Sequence, residues 1–231
     1  ESTRLGIPVI FKSNARNHYE RNARFGINTE AGSMSEWPKE AGLAATRDLA
    51  LIADFARTMG QEWRAIGLRG MYGYMADLIT EPRWYRVHEC FTEDADLAAD
   101  IMKTLVANLQ GGPVSPQTAV ALTIKHFPGG GPQKDGWDPH FPFQQGQVYP
   151  GNNFNYHLIP FEAAIDAGTA AMMPDYVVPV DQTDENVAMG FNKAILTGLL
   201  RNQLGFKGII CTDWGLISDL MLDGVVWPAR A

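Results

Sequence analysis

The segment NKAILTGLLRNQLGFKGIICTDW, residues 192–214, holds one complete helix-to-strand unit and sets the reading of the whole chain. Asn192–Leu204 reads as a helix, and Gly205 stands at the C′ position, where a left-handed backbone is needed. Lys207-Gly208 then open the apolar strand Ile209–Thr212. A carboxylate and an indole, Asp213-Trp214, follow at its end. Helix, glycine stop, short apolar strand and polar residues at the strand's C-terminal end are the parts of a parallel β/α unit.

The same unit recurs upstream. A helix is expected from about Arg47 to Ile66, where Leu49, Ile52, Ala56, Met59, Trp63 and Ile66 recur at intervals of three and four, with Thr46 as its N-cap. A strand over Leu68–Met75 follows. Thr92 is read as the cap of the next helix, with Glu93 and Asp94 in its first turn, where carboxylates suit the dipole. Leu97, Ile101, Leu105 and Leu109 form its buried stripe, and Gly111-Gly112-Pro113 stop it. The strand Ala119–Ile124, the helix Leu158–Ala167 and the strand Thr169–Met173 complete the series, and Leu5–Phe11, with Pro8 near its start, is read as the first strand. A polar stretch, Lys12 to Gly42, separates it from the first helix.

Five strands alternating with four helices predict an α/β fold. Lys12-Ser13-Asn14-Ala15 is not the glycine-rich turn a doubly wound nucleotide fold carries after its first strand. A (β/α) TIM-type barrel is therefore expected, incomplete in this chain because it offers fewer than eight strands. Residues 1–231 read as one domain, a fragment, with further domains expected beyond residue 231. Phe127 to His157 reads as a long Gly/Pro/Gln/Asn-rich loop, a length that fits a functional loop better than a mere connection.

The chain is 231 residues long, 45% hydrophobic and 19% charged, an ordinary globular composition. A net charge of −7 without a Lys/Arg cluster argues against nucleic acid as a partner. No apolar run reaches the roughly 18 residues of a membrane helix, so no membrane is expected. Cys90 and Cys211 are read as free thiols, a weak sign of a reducing compartment. His18, His88, His126, His140 and His157 are scattered without ligand spacing, and no phosphate loop or dinucleotide fingerprint occurs, so neither metal nor cofactor is expected. The sequence leaves oligomeric state open.

In a β/α barrel the chemistry sits at the C-terminal ends of the strands. The expected strand ends carry Lys12 and Asn14, then Arg83 and Arg86, Lys125-His126, Asp175-Tyr176, and Asp213-Trp214. Each has a plain reading. Asp213 caps a following helix, Lys125-His126 is a solvated rim, the arginines pair on the surface, and Tyr176 packs. Their convergence on one rim is what argues for a site.

Several segments resemble one family. Lys125-His126-Phe127-Pro128-Gly129 is similar to the Lys-His-Phe motif of glycoside hydrolase family 3. Gly205 to Trp214 resembles the strand that carries that family's nucleophilic Asp. Glu81-Pro82-Arg83-Trp84-Tyr85-Arg86, running into Phe91-Thr92-Glu93-Asp94, is similar to its Asp-Pro-Arg-Trp-Gly-Arg segment, and Arg4-Leu5-Gly6-Ile7-Pro8 matches an early barrel strand. Four motifs stand in the family's order over nearly the whole chain.

The resemblance implies a retaining, β-glucosidase-like glycosidase acting on oligo- or polysaccharides through a covalent glycosyl-Asp intermediate. It implies Asp213 as nucleophile, with Lys125, His126, Arg86 and Tyr176 as sugar-binding residues. Asn14 stands where the family has a sugar-gripping Asp, and loses one charge-assisted bond there. Trp214, Trp84 and Tyr85 are candidate stacking surfaces, with core packing as their alternative. A secreted or periplasmic location accords with the family.

In most members the acid/base Glu lies in a later domain. The β-N-acetylhexosaminidase branch instead uses a His in an Asp-Ser-His motif, which Asp138-Pro139-His140 resembles, although Gly130 replaces that branch's His between the glycines and the spacing is longer. His140 with Asp138 is therefore an alternative acid/base. Two rivals remain at this stage. One is a Schiff-base aldolase using Lys125; the other is a sugar-binding homologue without turnover.

Overall fold

Alternating strands and helices dictate parallel pairing between sequence neighbours. That pairing forms: β1 (Lys12–Ser13), β2 (Gly70–Met71), β3 (Ala121–Phe127), β4 (Ala171–Pro174) and β5 (Ile209–Ile210) lie side by side in that order, every pair parallel. The computed structural model describes residues 4–7, 9–14, 16–19, 34–114, 120–141 and 143–217, with the backbone alone of 220–222 and 225–227. The strand order never reverses, as it would at the switch point of a doubly wound sheet. Among the described residues no pairing joins β5 to β1, so the sheet is open and the expected barrel is corrected to an open five-stranded sheet with barrel-type order. Closure takes about eight tilted strands; five do not complete the circumference.

Helices α1 (Glu40–Ala45), α2 (Leu49–Ala65), α3 (Ala95–Leu105), α4 (Phe154–Asp166) and the π-wound α5 (Ala194–Gln203) join the strands. One hydrophobic core lies between them and one face of the sheet. Phe55, Met59 and Trp63 of α2, Ile101 and Leu105 of α3, Phe161 of α4 and Leu200 of α5 meet Met71, Leu122, Ile124 and Met172 from the strands. Each such side chain stabilises the fold by about 1.5–3 kcal/mol relative to exposure. Along β3 the alternation sends Leu122 and Ile124 into this core. Thr123 and Lys125 alternate with them onto the other face, where Lys12 Nζ donates to Thr123 Oγ1 at 3.0 Å.

Several boundaries differ from the sequence reading. The first strand is not Leu5–Phe11 but Lys12–Ser13, and Leu5, Ile7, Val9, Ile10 and Phe11 are exposed. Among the described residues nothing buries these side chains, and the ladder starts where Arg69 N donates to the Phe11 carbonyl. Thr46 does not cap α2: Asp48 does, accepting from Ala50 and Leu51 N, while Thr46 Oγ1 donates to the Leu43 carbonyl of the newly found α1. Asp94, not Thr92, caps α3, through Asp96 and Leu97 N. At both helix starts the carboxylate, which meets the helix dipole with a full charge, takes the cap in place of the hydroxyl. The glycine stops are as read, with Gly111 at φ 88° and Gly205 at φ 66°. The cysteines are free. An antiparallel pair, β6 (Leu220–Leu222) and β7 (Val225–Trp227), was not expected, although Asp223-Gly224 between them is a hairpin sequence.

Candidate active site

The longest strand, β3, carries its polar residues at its C-terminal end and buries them. Lys125 and His126 are almost wholly buried. Asp77, in the loop after β2, accounts for His126: its carboxylate accepts from His126 Nδ1 at 2.8 Å, from His126 N at 3.1 Å and from Gly130 N. Nδ1 therefore carries the proton, and Nε2 points out at Asp213 Oδ2, 3.7 Å away. Burial holds the imidazole below its usual range against the pull of Asp77, so the ring is neutral near pH 7. Burial alone would raise Asp77, but His126 and the backbone N–H groups hold it below the usual carboxylate range.

Asp213 ends β5. Its Oδ1 accepts from Trp214 N at 2.7 Å, and Tyr176 Oη donates to the Trp214 carbonyl at 2.7 Å, tying the end of β5 to that of β4. Burial would raise its carboxyl, yet His126, the Trp214 N–H and Lys125 keep it below the ordinary value, hence ionised. A pocket opens here, lined by Asn14, Tyr72, Lys125, Met173, Asp213 and Trp214, with Cys211 and Thr212. Lys125 Nζ donates to Asn14 Oδ1 at 3.1 Å. Burial, helped by Arg16 and Arg86, lowers the Lys125 ammonium to about 7.

Arg86 lies one layer behind the pocket. Its Nε and Nη2 donate to Glu89 at 3.2 and 3.1 Å, and Glu89 also pairs with Arg16 at 3.2 Å. Arg16 in turn pairs with the buried Glu40. Against burial, Glu89 keeps Arg86 firmly charged, and the two arginines push Glu89 well below the carboxylate range. Two cations and two anions thus form a buried bed under Lys125.

The long loop is folded back over this rim. Gln133 and Gln147 bridge antiparallel, and Gln147 pairs along Val178 and Val180 beyond β4. Gln147 Nε2 also donates to the buried Asp175 at 2.9 Å. Burial and the nearby Asp77 raise Asp175 well above the carboxylate range, which disfavours the ionised form that a nucleophile needs. Gly130 passes between these two carboxyls: a Cβ there would lie 2.6 Å from Asp175 Oδ2 and 3.0 Å from Asp77 Oδ1. No side chain fits at the position where the hexosaminidase motif has a His. Asp138 is buried and accepts from Trp84 Nε1 at 2.7 Å and from His140 Nδ1 at 2.7 Å, and the His140 ring sits edge-on to Tyr176, centroids 4.9 Å apart.

Asn14, Lys125, Asp213 and Trp214 thus share one pocket, and His126 and Tyr176 adjoin it. Arg86 does not line it. Arg83 is a surface partner of Glu81, at 2.7 Å, and Trp84 is core, so their plain readings hold. Tyr85 is half-exposed. The sequence reading missed Tyr72, which lines the pocket, and Asp77, although a lone carboxylate inside the apolar run Tyr74–Ile79 was the signal. It also missed Arg16, Glu40 and Glu89, whose partnership no spacing announces. Among the described residues no group of three His, Cys, Asp or Glu side chains is placed to hold a metal.

The profile of the Glycosyl hydrolase family 3 N terminal domain matches residues 1–225. "Probable beta-glucosidase C" of Aspergillus flavus is 44% identical over 229 residues, 99% of this chain and 36% of that protein. "Periplasmic beta-glucosidase/beta-xylosidase" of Dickeya chrysanthemi is 36% identical, over 95% of this chain and 34% of its own length. The chain thus spans about a third of the curated relatives it matches. A β-glucosidase from Listeria innocua, solved with isofagomine, has the same fold at a TM-score of 0.76 and 24% identity, over 93% of this chain and 27% of its own. So has a family 3 β-N-acetylglucosaminidase from Paenibacillus sp., at a TM-score of 0.74 and 24% identity, over 90% and 37%.

Proposed function

The chain belongs to glycosyl hydrolase family 3, whose N-terminal domain profile it matches over residues 1–225, and on that premise we propose that it carries the glycone-binding half of a retaining β-glucosidase with Asp213 as nucleophile. The observation that carries the reading is an ionised carboxylate lining a pocket, facing the neutral imidazole of His126 at 3.7 Å and sharing its pocket with Lys125.

A glycosidic oxygen is a poor leaving group, so one carboxylate attacks the anomeric carbon while an acid protonates the departing oxygen. Asp213 forms the ester bond to that carbon as the carbon–oxygen bond to the leaving group breaks. Water then cleaves the ester, restoring Asp213 and releasing the sugar with its original configuration. Lys125, Asn14 and His126 Nε2 hold the hydroxyls of the reacting ring, Trp214 gives it an apolar face, and Tyr176 steadies Trp214. Arg86, engaged by Glu89, acts on the ring through Lys125 by fixing the charge beneath it. The acid is supplied from outside residues 1–231.

A second reading has one observation in its favour: His140 is held by the buried Asp138 and lies against Tyr176. A His–carboxylate pair is a workable acid, and in this reading His140 protonates the leaving oxygen. A Schiff-base aldolase would use the lowered Lys125 amine. Treatment with a carbonyl compound and borohydride should leave Lys125 unmodified.

The test is trapping of the full-length protein with a 2-deoxy-2-fluoro-β-glucoside, followed by peptide mapping. The label is expected on Asp213. A label on Asp175, or sugar binding without any label, overturns the assignment, the latter in favour of a sugar-binding homologue.

A further inference from the structure

His157 is 1% exposed, and among the described residues neither of its ring nitrogens has a hydrogen-bond partner. It lies in the first turn of α4, where the positive end of the helix dipole opposes a further positive charge. Burial holds its imidazole at about 4 against the pull of Asp77, so the ring is neutral near pH 7. It does not line the pocket.

His157 is nonetheless wedged between the two segments that frame the pocket. On one side is the turn after β3. Gly129 there has φ 130°, and a Cβ on it would lie 2.9 Å from the His157 Cβ, so the turn lies directly against the helix. Its neighbour Gly130 donates to Asp77, whose carboxylate fixes His126 Nδ1 and so aims Nε2 at Asp213. On the other side is the loop that returns over the rim. Tyr149 stands edge-on to His157, centroids 5.4 Å apart; its hydroxyl donates to Gln147, and Gln147 donates to Asp175.

The groups around the ring offer a cation little. Tyr156 meets it edge-on from α4 itself and donates its hydroxyl to the Glu93 carbonyl. Burial pushes the Tyr149 phenol well up, so it stays uncharged. The helix α3 approaches α4 through Ala95 and Ala98, which carry no charge. Asp77 is the one charge that acts on the ring, and its carboxylate already accepts from three N–H groups. A buried cation without its own acceptor is costly, and this one gains water only if the turn and the returning loop separate.

We propose that His157 is a positioning residue for His126: its neutral ring holds the Gly129–Gly130 turn and the Tyr149 loop together, and its protonation releases them, so that acid disarms the site reversibly. This rests on the glycosidase reading above.

The test is the pH profile of kcat/KM for a phenyl β-glucoside, measured on the full-length protein from pH 3 to 7 and normalised to pH 6. A group titrating at about 4 leaves about a quarter of the rings neutral at pH 3.5, so the wild type should keep at most about a quarter of its pH 6 value there and recover on return to pH 6. His157→Gln and His157→Phe carry no titrating ring, and the Phe variant keeps an aromatic face for Tyr149 should the Gln variant not fold. Whatever their rates at pH 6, their acid limb should move to lower pH, where Asp213, held below the ordinary carboxylate value, takes over. The share kept at pH 3.5 should rise about fourfold over wild type. Variants that are slower at every pH with the wild-type profile would assign His157 to packing and overturn the proposal. So would a loss in the wild type that does not recover, since that is unfolding. Failure of the glycosidase reading looks different: no label on Asp213 at any pH, in wild type or variant.

Discussion

The ends of β3 and β5 face each other across the pocket and are built in opposite ways. β3 has seven residues, six of them buried, and its polar end is held in place: Asp77 accepts from His126 Nδ1, Asn14 accepts from Lys125, and a glycine stands where two carboxyls leave no room. β5 has two residues on the open edge of the sheet, with Ile209 68% and Trp214 81% exposed. The residues proposed to hold a sugar stand in a buried, hydrogen-bonded frame. The residue proposed to attack it is fixed by a few local bonds at an edge. Binding geometry is therefore tied to stability at β3, and chemistry is separable from stability at β5.

The sharpest way to break that contrast is Asp213→Asn. Turnover is expected to fall by more than about 10³-fold, since the amide cannot attack the anomeric carbon. The midpoint of urea unfolding should hold, with stability within about 1 kcal/mol of wild type, because the carboxylate answers mainly to the Trp214 N–H and to distant charges. A matching loss of stability would show the β5 end to be structural.

Asp77→Asn tests the other side. The carboxylate accepts from three N–H groups in a buried site, and an amide there offers one acceptor oxygen and two unwanted donors. Breaking a buried, hydrogen-bonded charge costs about 3–5 kcal/mol. Unfolding should show that loss, and kcat/KM should fall with it because His126 loses its tautomer. A stable variant with wild-type kinetics would mean His126 is held by its backbone alone.

These two residues also mark how far the sequence could be read. Asp213 was legible because a carboxylate directly after an apolar strand is conspicuous, and Lys125-His126 for the same reason. Asp77 was passed over inside an apolar run, because its partners His126 and Gly130 lie 49 and 53 residues away, on β3 and just beyond it. The Arg16–Glu40–Glu89–Arg86 bed joins segments with no shared period. The first strand failed for a physical reason: Leu5–Phe11 has the composition of a strand, but among the described residues Leu5, Ile7, Val9, Ile10 and Phe11 stay exposed, whereas Lys12 pairs with Gly70, whose missing side chain leaves room for the lysine stem. The barrel was inferred from the β/α alternation and from the missing glycine-rich turn after the first strand, and neither joins the two edges of the sheet.

Lys125→Met is expected to have a pH-dependent effect on stability. The amine titrates at about 7 in the folded protein and near 10.5 when unfolded. Between those values the unfolded chain binds more protons, so wild-type stability rises with pH across the window and is flat in this respect below 7. The variant lacks that slope. The difference between the two unfolding curves should therefore favour Met most at pH 6 and shrink toward pH 10, while kcat/KM drops by about tenfold or more with the lost hydrogen bond. A pH-independent difference would mean that Lys125 is not desolvated.

The smallest effect is expected at His140, and it decides where the acid comes from. Proton transfer by a placed side chain contributes about 10²–10⁴-fold, and it matters most when the leaving group is poor. A dinitrophenolate departs unaided, whereas an alkoxide does not. If the acid lies outside residues 1–231, His140→Ala should slow dinitrophenyl and alkyl β-glucosides alike, by about threefold or less, since the ring then only steadies Tyr176 from the loop. If His140 is the acid, alkyl glycosides should lose at least about 100-fold while dinitrophenyl glycosides keep their rate. Asp138→Asn separates the two further. It should reproduce the His140 pattern in the second case. In the first it should mainly loosen the loop through the lost Trp84 bond, seen as faster proteolysis between Lys134 and Gln145. Selective loss on alkyl glycosides in both variants would move the acid from outside this chain to the loop that folds over β3.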